Sequence, residues 1–361
     1  MGRLFGVLAM VVFLVGATRE AGPPTTPSTA SNGGLAGAQP SEEVLLLRAR
    51  SAEVELEESL SARGRVPSRV PNYPGRMADP AILVEGTTYY AYGTRAAQLD
   101  IPALASVDLV HWSQPVNALP TPPAWAERGR TWAPSVVRRG ESYVMWYTTR
   151  DRAAARQCIS FATASQPLGP FVDTTTGPTI CQLDRGGSID PDVFIDGGGA
   201  AYLVWKSEDN TAGQYTSLWG ATLDESGTRL GPYTLLLSRS AEWQGLIIEG
   251  PALTRGPDGY LLFYGANNWA STAASIGYAR CAMPLGPCAE ASPHEPWLAG
   301  DATVLGPAGP QFFRDASGVT RMAYHAFDQC IGGPRCPRSL FIDRLAFIEG
   351  RPLLGAHRPA R

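Results

Sequence analysis

The chain carries little excess charge of either sign: 30 basic and 33 acidic side chains give a formal net charge of -3 over 361 residues. That excludes the basic footprint of a nucleic-acid binder, and no block of one sign marks a charged partner. The six cysteines contain no CxxC pair, which argues against a zinc site. From about residue 70 onward there is no long stretch with a 3.6-residue apolar period, so the body of the chain is not helical. Beyond the N-terminus no segment is long and apolar enough to span a bilayer.

The N-terminus has its own texture. Arg3 precedes an apolar run from Leu4 to Val15, and Gly16, Ala17 and Thr18 are small. Residues 1–18 thus read as a secretory signal peptide, the alternative being an uncleaved anchor. Residues 19–69 form a low-complexity linker, uncharged over 21–40, with a short helical arm expected over 41–62 behind Ser41, Glu42 and Glu43. An even cysteine count in an exported chain suggests disulfides. Local pairing is the simplest scheme: Cys158–Cys181, Cys281–Cys288 and Cys330–Cys336.

Residues 70–350 are rich in aromatic and β-branched clusters broken by Gly, Pro and Asp, leaving 351–361 as a tail. Five segments repeat one pattern, an apolar strand, a polar turn and an aromatic strand. They start at Ala78, Ala133, Asp190, Gly250 and Gly309, at spacings of 55, 57, 60 and 59 residues. A hairpin recurring at that period is the signature of propeller blades, each a small sheet that must stack on its neighbours. The expected fold is all-β, a five-bladed β-propeller. The first strand of each blade lies nearest the axis, so the blade starts converge at one end of the channel.

Carboxylates stand at three of those starts: Asp79 before Pro80, Asp190 before Pro191, and Glu249 before Gly250-Pro251. An isolated Asp-Pro is ordinarily a turn. Three acids in phase with a repeat would meet in one funnel, where like charges raise at least one pKa, as acid catalysis of glycoside cleavage requires. Asp192 lies two residues past Asp190 and points the same way along a strand, although a solvated or turn-bonding role suits it as well. Trp132 and Trp269 are candidate sugar-stacking platforms.

The ordered set Asp79-Pro80, Tyr89–Thr94, Ser106–Trp112, Trp132–Pro134, Ile189–Phe194 and Glu249–Pro251 resembles glycoside hydrolase family 43, over roughly residues 75–345. The resemblance implies an inverting glycosidase acting on arabinosyl or xylosyl linkages, with arabinan favoured. It assigns Asp79 as general base, Glu249 as general acid and Asp190 as the group that orients the acid and keeps its pKa high. His325 resembles the family's axial His, which often holds a calcium ion through water; a buried, hydrogen-bonded His fits the sequence equally. The family's usual His after the last Gly-Pro start is replaced by Gln311, which loosens any substrate assignment. The implied partner is a carbohydrate, with no membrane once the signal is removed, and the protein is expected to be monomeric. Two other readings stand beside this one. A retaining fructan-type propeller would carry different motifs at the first and third starts, and a glycan-binding propeller would lack one of the acids.

The change of composition near residue 70 makes the preceding segment dispensable. Limited proteolysis should trim the chain to about residue 68 and leave hydrolysis of glycosides intact; loss of the folded state on trimming would show that the arm belongs to the fold.

Overall fold

The computed structural model describes residues 70–328 and 336–356; the signal, linker and arm expected before residue 70, and Cys330, lie outside them. The described strands form five antiparallel sheets. The first contains β1 (Ala81–Glu85), β2 (Thr88–Tyr92), β3 (Pro102–Ser106) and β4 (Val116–Asn117). The second contains β5 (Ala126–Arg139), β6 (Ser142–Asp151) and β7 (Arg156–Ala164), and bridges from Ile159 to Ile180 and from Thr163 to Val172 continue its outer edge. The third runs through β8 (Ser188–Ile195), β9 (Ala201–Ser207), β10 (Ser217–Leu223) and β11 (Thr234–Ser238). β12 (Ile248–Gly256), β13 (Gly259–Ala266), β14 (Ser275–Cys281) and β15 (Cys288–Glu290) make the fourth. The fifth is β16 (Val304–Arg314), β17 (Thr320–Asp328), β18 (Arg338–Ile348) and β19 (Arg351–Ala356).

The innermost strands β1, β5, β8, β12 and β16 each touch the next, and β16 touches β1, so the ring closes and the protein is the expected five-bladed propeller. Its core is five separate layers, one between each pair of successive blades. This explains why the second strands read as unbroken apolar runs. Along β6, Tyr143, Met145 and Tyr147 pack toward blade one, while Val144 and Trp146 pack toward blade three. In β13, Leu262 and Tyr264 face blade three, and Leu261 and Phe263 face blade five. A strand alternates its side chains between its two faces, and here both faces are interior.

Two further links complete the frame. Backbone hydrogen bonds join Asn72, Tyr73 and Met77 to Leu340 and Arg338, tying the start of the first blade to the third strand of the last. Disulfides Cys158–Cys181 and Cys281–Cys288 each lie within one blade, as local pairing predicts.

The blade starts share one backbone conformation. Asp79, Ala133, Asp190, Gly250 and Gly309 each precede a proline and each has positive φ, between 42° and 60°. Proline has no N–H to give to the ladder, and in β5, β8, β12 and β16 the register with the second strand slips across these residues. The strands therefore bulge at the residues where they meet at the axis.

Gly309 shows how tight the ring is: a Cβ there would come within 2.8 Å of His325 Nδ1 and 3.3 Å of the Asp79 Cα. Gly140, in an exposed hairpin, also has φ of 60° but nothing within 4 Å. Both Gly→Ala changes carry the left-handed penalty of about 1 kcal/mol, and Gly309→Ala adds the clash. Thermal unfolding should show Gly309→Ala less stable than Gly140→Ala by about 1–3 kcal/mol; equal losses would mean that the ring yields freely.

Candidate active site

Asp79 and Asp190 occupy equivalent ring positions. Glu249 does not, contrary to the phase expected from the sequence: it lies one residue earlier, in phase with Trp132, and Gly250 takes the ring position. The five X-Pro pairs, with Asp192 and Gln311, enclose an axial cavity of about 30 Å³, room for one or two waters. A larger cavity of about 820 Å³ opens among Glu85, Arg138, Arg255 and Arg314 and contains none of the three acids.

A recurrent hydrogen bond fixes the ring. The Asp79 amide donates to His325 Nδ1 (3.0 Å), the Ala133 amide to Thr94 Oγ1 (2.9 Å) and the Asp190 amide to Thr148 Oγ1 (3.0 Å). In each case the acceptor comes from the end of the second strand of the preceding blade or the residues just after it. Gly250 instead donates to Asp190 Oδ2 at 3.1 Å, which brings the third and fourth blade starts together.

The three acids have different neighbours. Asp79, whose side chain is 24% exposed, accepts a hydrogen bond from Thr94 Oγ1 at 2.5 Å on Oδ2, and Arg338 Nη1 lies 3.4 Å from Oδ1. Burial raises its pKa, but Arg338, His325 and the Thr94 hydroxyl together outweigh burial and hold Asp79 below the usual carboxylate range. Arg338 and Thr94 do most of this, because His325 is itself pushed down to about 3 by burial and by Arg338, and is neutral at ordinary pH. Asp190 goes the other way: burial, then the charges of Glu249 and Asp79, push it well above the ordinary value. Glu249 is also raised, chiefly by burial, although Lys206 pulls it down. Lys206, with its side chain 1% exposed, places Nζ 3.3 Å from Glu249 Oε2 and 2.8 Å from Glu208 Oε1. Burial alone would strip its proton, but the surrounding carboxylates keep it charged.

The remaining sequence candidates fall in varied settings. Asp192 is buried, and Ser135 Oγ donates to its Oδ1 while accepting the Val193 amide, so it is neither solvated nor in a turn. Trp132 is half-buried beside the ring residue Ala133. Trp269 is 48% exposed, and the Arg338 guanidinium packs on its ring at 4.5 Å. The same arginine touches Asp79, so it joins Trp269 to the site. Gln311 is turned to the fold, its Oε1 accepting the Ile82 amide. His325 is buried, its Nδ1 is used by Asp79, and Arg338 Nη1 lies 3.3 Å from its Nε2. A guanidinium at that distance repels a cation, and among the described residues no three His, Cys, Asp or Glu side chains are grouped to hold a metal. A calcium ion held through water at His325 Nε2 would share that edge of the ring with the guanidinium.

Sequence reasoning missed Lys206, Glu208, Thr148 and Arg338. A signal existed for two of them. Each second strand carries a buried aromatic, Tyr92, Tyr147, Trp205, Tyr264 or Tyr324, and the residue after it is Gly93, Thr148, Lys206, Gly265 or His325. Polar side chains at that phase of an apolar strand point at the axis. Lys206 is moreover the chain's sole lysine, beside 29 arginines. Arg338 belongs to a third strand and had no comparable mark.

Comparison with known proteins places this geometry. The family model described as glycosyl hydrolases family 43 matches residues 68–352. Arabinan endo-1,5-alpha-L-arabinosidase B of Emericella nidulans is 28% identical over 162 residues, 42% of this chain; the match spans only 38% of that protein's length. A probable arabinan endo-1,5-alpha-L-arabinosidase A of Aspergillus flavus is 25% identical over 297 residues, 76% of this chain and 89% of that one. A crystal structure of a thermostable family-43 glycoside hydrolase superposes with a TM-score of 0.69 at 27% identity, covering 79% of this chain and 94% of that one.

Asp192 gives a test that needs no substrate. Burial raises its pKa to about 7 despite Ser135 and the Val193 amide, against about 3.9 in an unfolded chain. The folded state therefore binds the extra proton between those values. Its stabilising effect is full below about pH 4 and is lost as pH rises through about 7, at up to about 1.4 kcal/mol per pH unit. In unfolding measured from pH 4 to 8, Asp192→Asn should gain on the parent with rising pH and level off above about 7. A gap independent of pH would refute the assignment.

Proposed function

The chain belongs to the glycosyl hydrolases of family 43, and from that premise we propose that it hydrolyses arabinosyl linkages of an arabinan-type polysaccharide with inversion of configuration. The observation that carries this reading is the division of ionisation among three acids at one end of the axis. Asp79 is held as the anion, while Asp190 and Glu249 are pushed toward the protonated form. An inverting glycosidase needs that split, one carboxylate to take a proton from water and one carboxyl to give a proton to the leaving oxygen.

In the proposed mechanism Thr94 and Arg338 aim the Asp79 carboxylate at the water that attacks the anomeric carbon. Glu249 protonates the glycosidic oxygen as the bond breaks. Asp190, fixed by the Gly250 amide, raises the acid's pKa and orients it. A bound sugar excludes water and raises Glu249 further. Trp269, backed by Arg338, offers an exposed ring face for a sugar, and Trp132 borders the ring beside the phase of Glu249. The arabinan assignment rests on the names of the two relatives above. Xylosyl linkages are the second choice, because Gln311 departs from the family pattern expected at the last blade start. The leader-like N-terminus and the two disulfides support export, and among the described residues no helix is long and apolar enough to cross a membrane. We take the exported enzyme to act as a monomer.

Proton NMR of the first product released from arabinan oligosaccharides should show the inverted anomer. Asp79→Asn should lower kcat by about 10³-fold or more on every substrate. Glu249→Gln should lower it by about 10²–10⁴-fold on oligosaccharides and far less on aryl glycosides, whose leaving group needs little protonation. A retained anomer, or an Asp79→Asn enzyme near normal turnover, would overturn the mechanism.

A further inference from the structure

Lys206 lies between two acids, only one of which the mechanism uses. From β9 its buried ammonium reaches Glu208 Oε1 at 2.8 Å and Glu249 Oε2 at 3.3 Å. Glu208 is equally fixed: its amide donates to Gly187 O, and its carbonyl accepts from the Thr211 amide and hydroxyl. Its side chain is 12% exposed, so little water competes for the lysine.

Taking Glu249 as the acid, as proposed above, a one-to-one buried pair with Lys206 would be self-defeating. An ammonium that close favours the carboxylate form, and an ionised Glu249 has no proton to give. The geometry adds a second carboxylate to the same ammonium, at the shorter distance. One positive charge cannot neutralise both. We propose that Lys206 and Glu208 form a positioning couple for the general acid: Lys206 fixes the direction of the Glu249 carboxyl, and Glu208 draws off enough of the lysine's charge for Glu249 to remain protonated.

The other charges facing Glu249 are fixed parts of the site. Asp190 approaches from the start of β8, bound to the Gly250 amide, and Asp79 faces it from the start of blade one; both disfavour its anion. Against that constant background the couple makes predictions of opposite sign. Removing Glu208's charge leaves Lys206 wholly to Glu249 and favours the carboxylate. Removing Lys206's charge leaves Glu249 among carboxylates and favours the acid. A general acid must be protonated to act, so its ionisation sets the alkaline limb of the pH profile.

The experiment is the pH dependence of kcat/KM on an arabinan oligosaccharide, with thermal unfolding as the check on folding. Glu208→Gln should move the alkaline limb down by about one pH unit, and Lys206→Met should move it up by about one. The double variant Glu208→Gln/Lys206→Met should lie above the parent, since the nearer charge is lost along with its partner. Should Lys206→Met not fold, the downward shift of Glu208→Gln decides alone. Limbs that stay in place, or that move the same way in both single variants, would overturn the couple even if activity falls, because a purely structural pair has no reason to move them oppositely. Failure of the underlying reading looks different: a Glu249→Gln enzyme with undiminished turnover of the oligosaccharide would mean that Glu249 is not the acid, whatever the limbs do.

Discussion

The hydrogen bond from the Asp79 amide to His325 Nδ1 crosses the seam where the last blade meets the first. Everything at the axis depends on that seam staying shut. A propeller is a ring, and a ring is only as well defined as its closure. Here closure uses backbone pairing of residues 72–77 with Arg338 and Leu340, and the same arginine then turns to Asp79. The contacts that complete the fold are also the ones that aim and charge the proposed base. His325 serves this end as a neutral acceptor. Protonating it would remove the lone pair that Asp79's amide needs, and its burial beside Arg338 disfavours that proton.

Three carboxylates in one funnel would repel each other severely if all were ionised. What differs is the group near each. Asp79 has a guanidinium and a hydroxyl, so it stays charged. Asp190 meets the Thr148 hydroxyl at its amide and the Gly250 amide at its carboxyl, and burial with the charges of Glu249 and Asp79 outweighs the pull of Lys206. Glu249 has an ammonium already engaged by Glu208, an intermediate case. The side chain set beside each acid thus sorts the acids into roles: Thr94 and the third-strand Arg338 for Asp79, and the second-strand Lys206 for Glu249. That is pKa tuning by placement on rigid strands.

Much of this was legible in the sequence because the repeat is strict. Its period gave the blade number, and the Pro after each start gave the phase of Asp79 and Asp190. The apolar runs YVMWY and YLLFY announced strands buried on both faces. Glu249 was found but placed one residue out of register, since its Gly-Pro start puts the bulge at Gly250. Lys206 was overlooked because a lone cation inside an apolar strand looks like a snorkelling surface residue. Arg338 could not have been found by phase, because it reaches the axis from a third strand and through a long side chain.

The ring itself separates architecture from chemistry. Five residues adopt positive φ before proline, a costly conformation for any residue with a Cβ. Two of them are glycines, which accept it cheaply. Two are the acids Asp79 and Asp190, where strain at a functional group would be unsurprising. The fifth, Ala133, decides the matter: it has a Cβ, no chemistry to perform, and the same conformation at φ 42°. The strain therefore belongs to the closure of five inner strands on one axis, and would be present without catalysis. The acids exploit it, since Asp79 and Asp190, held in that conformation by the ring, have their amides committed to the preceding blade and their side chains limited in where they can go. Function here is placed on positions that the fold had already made rigid.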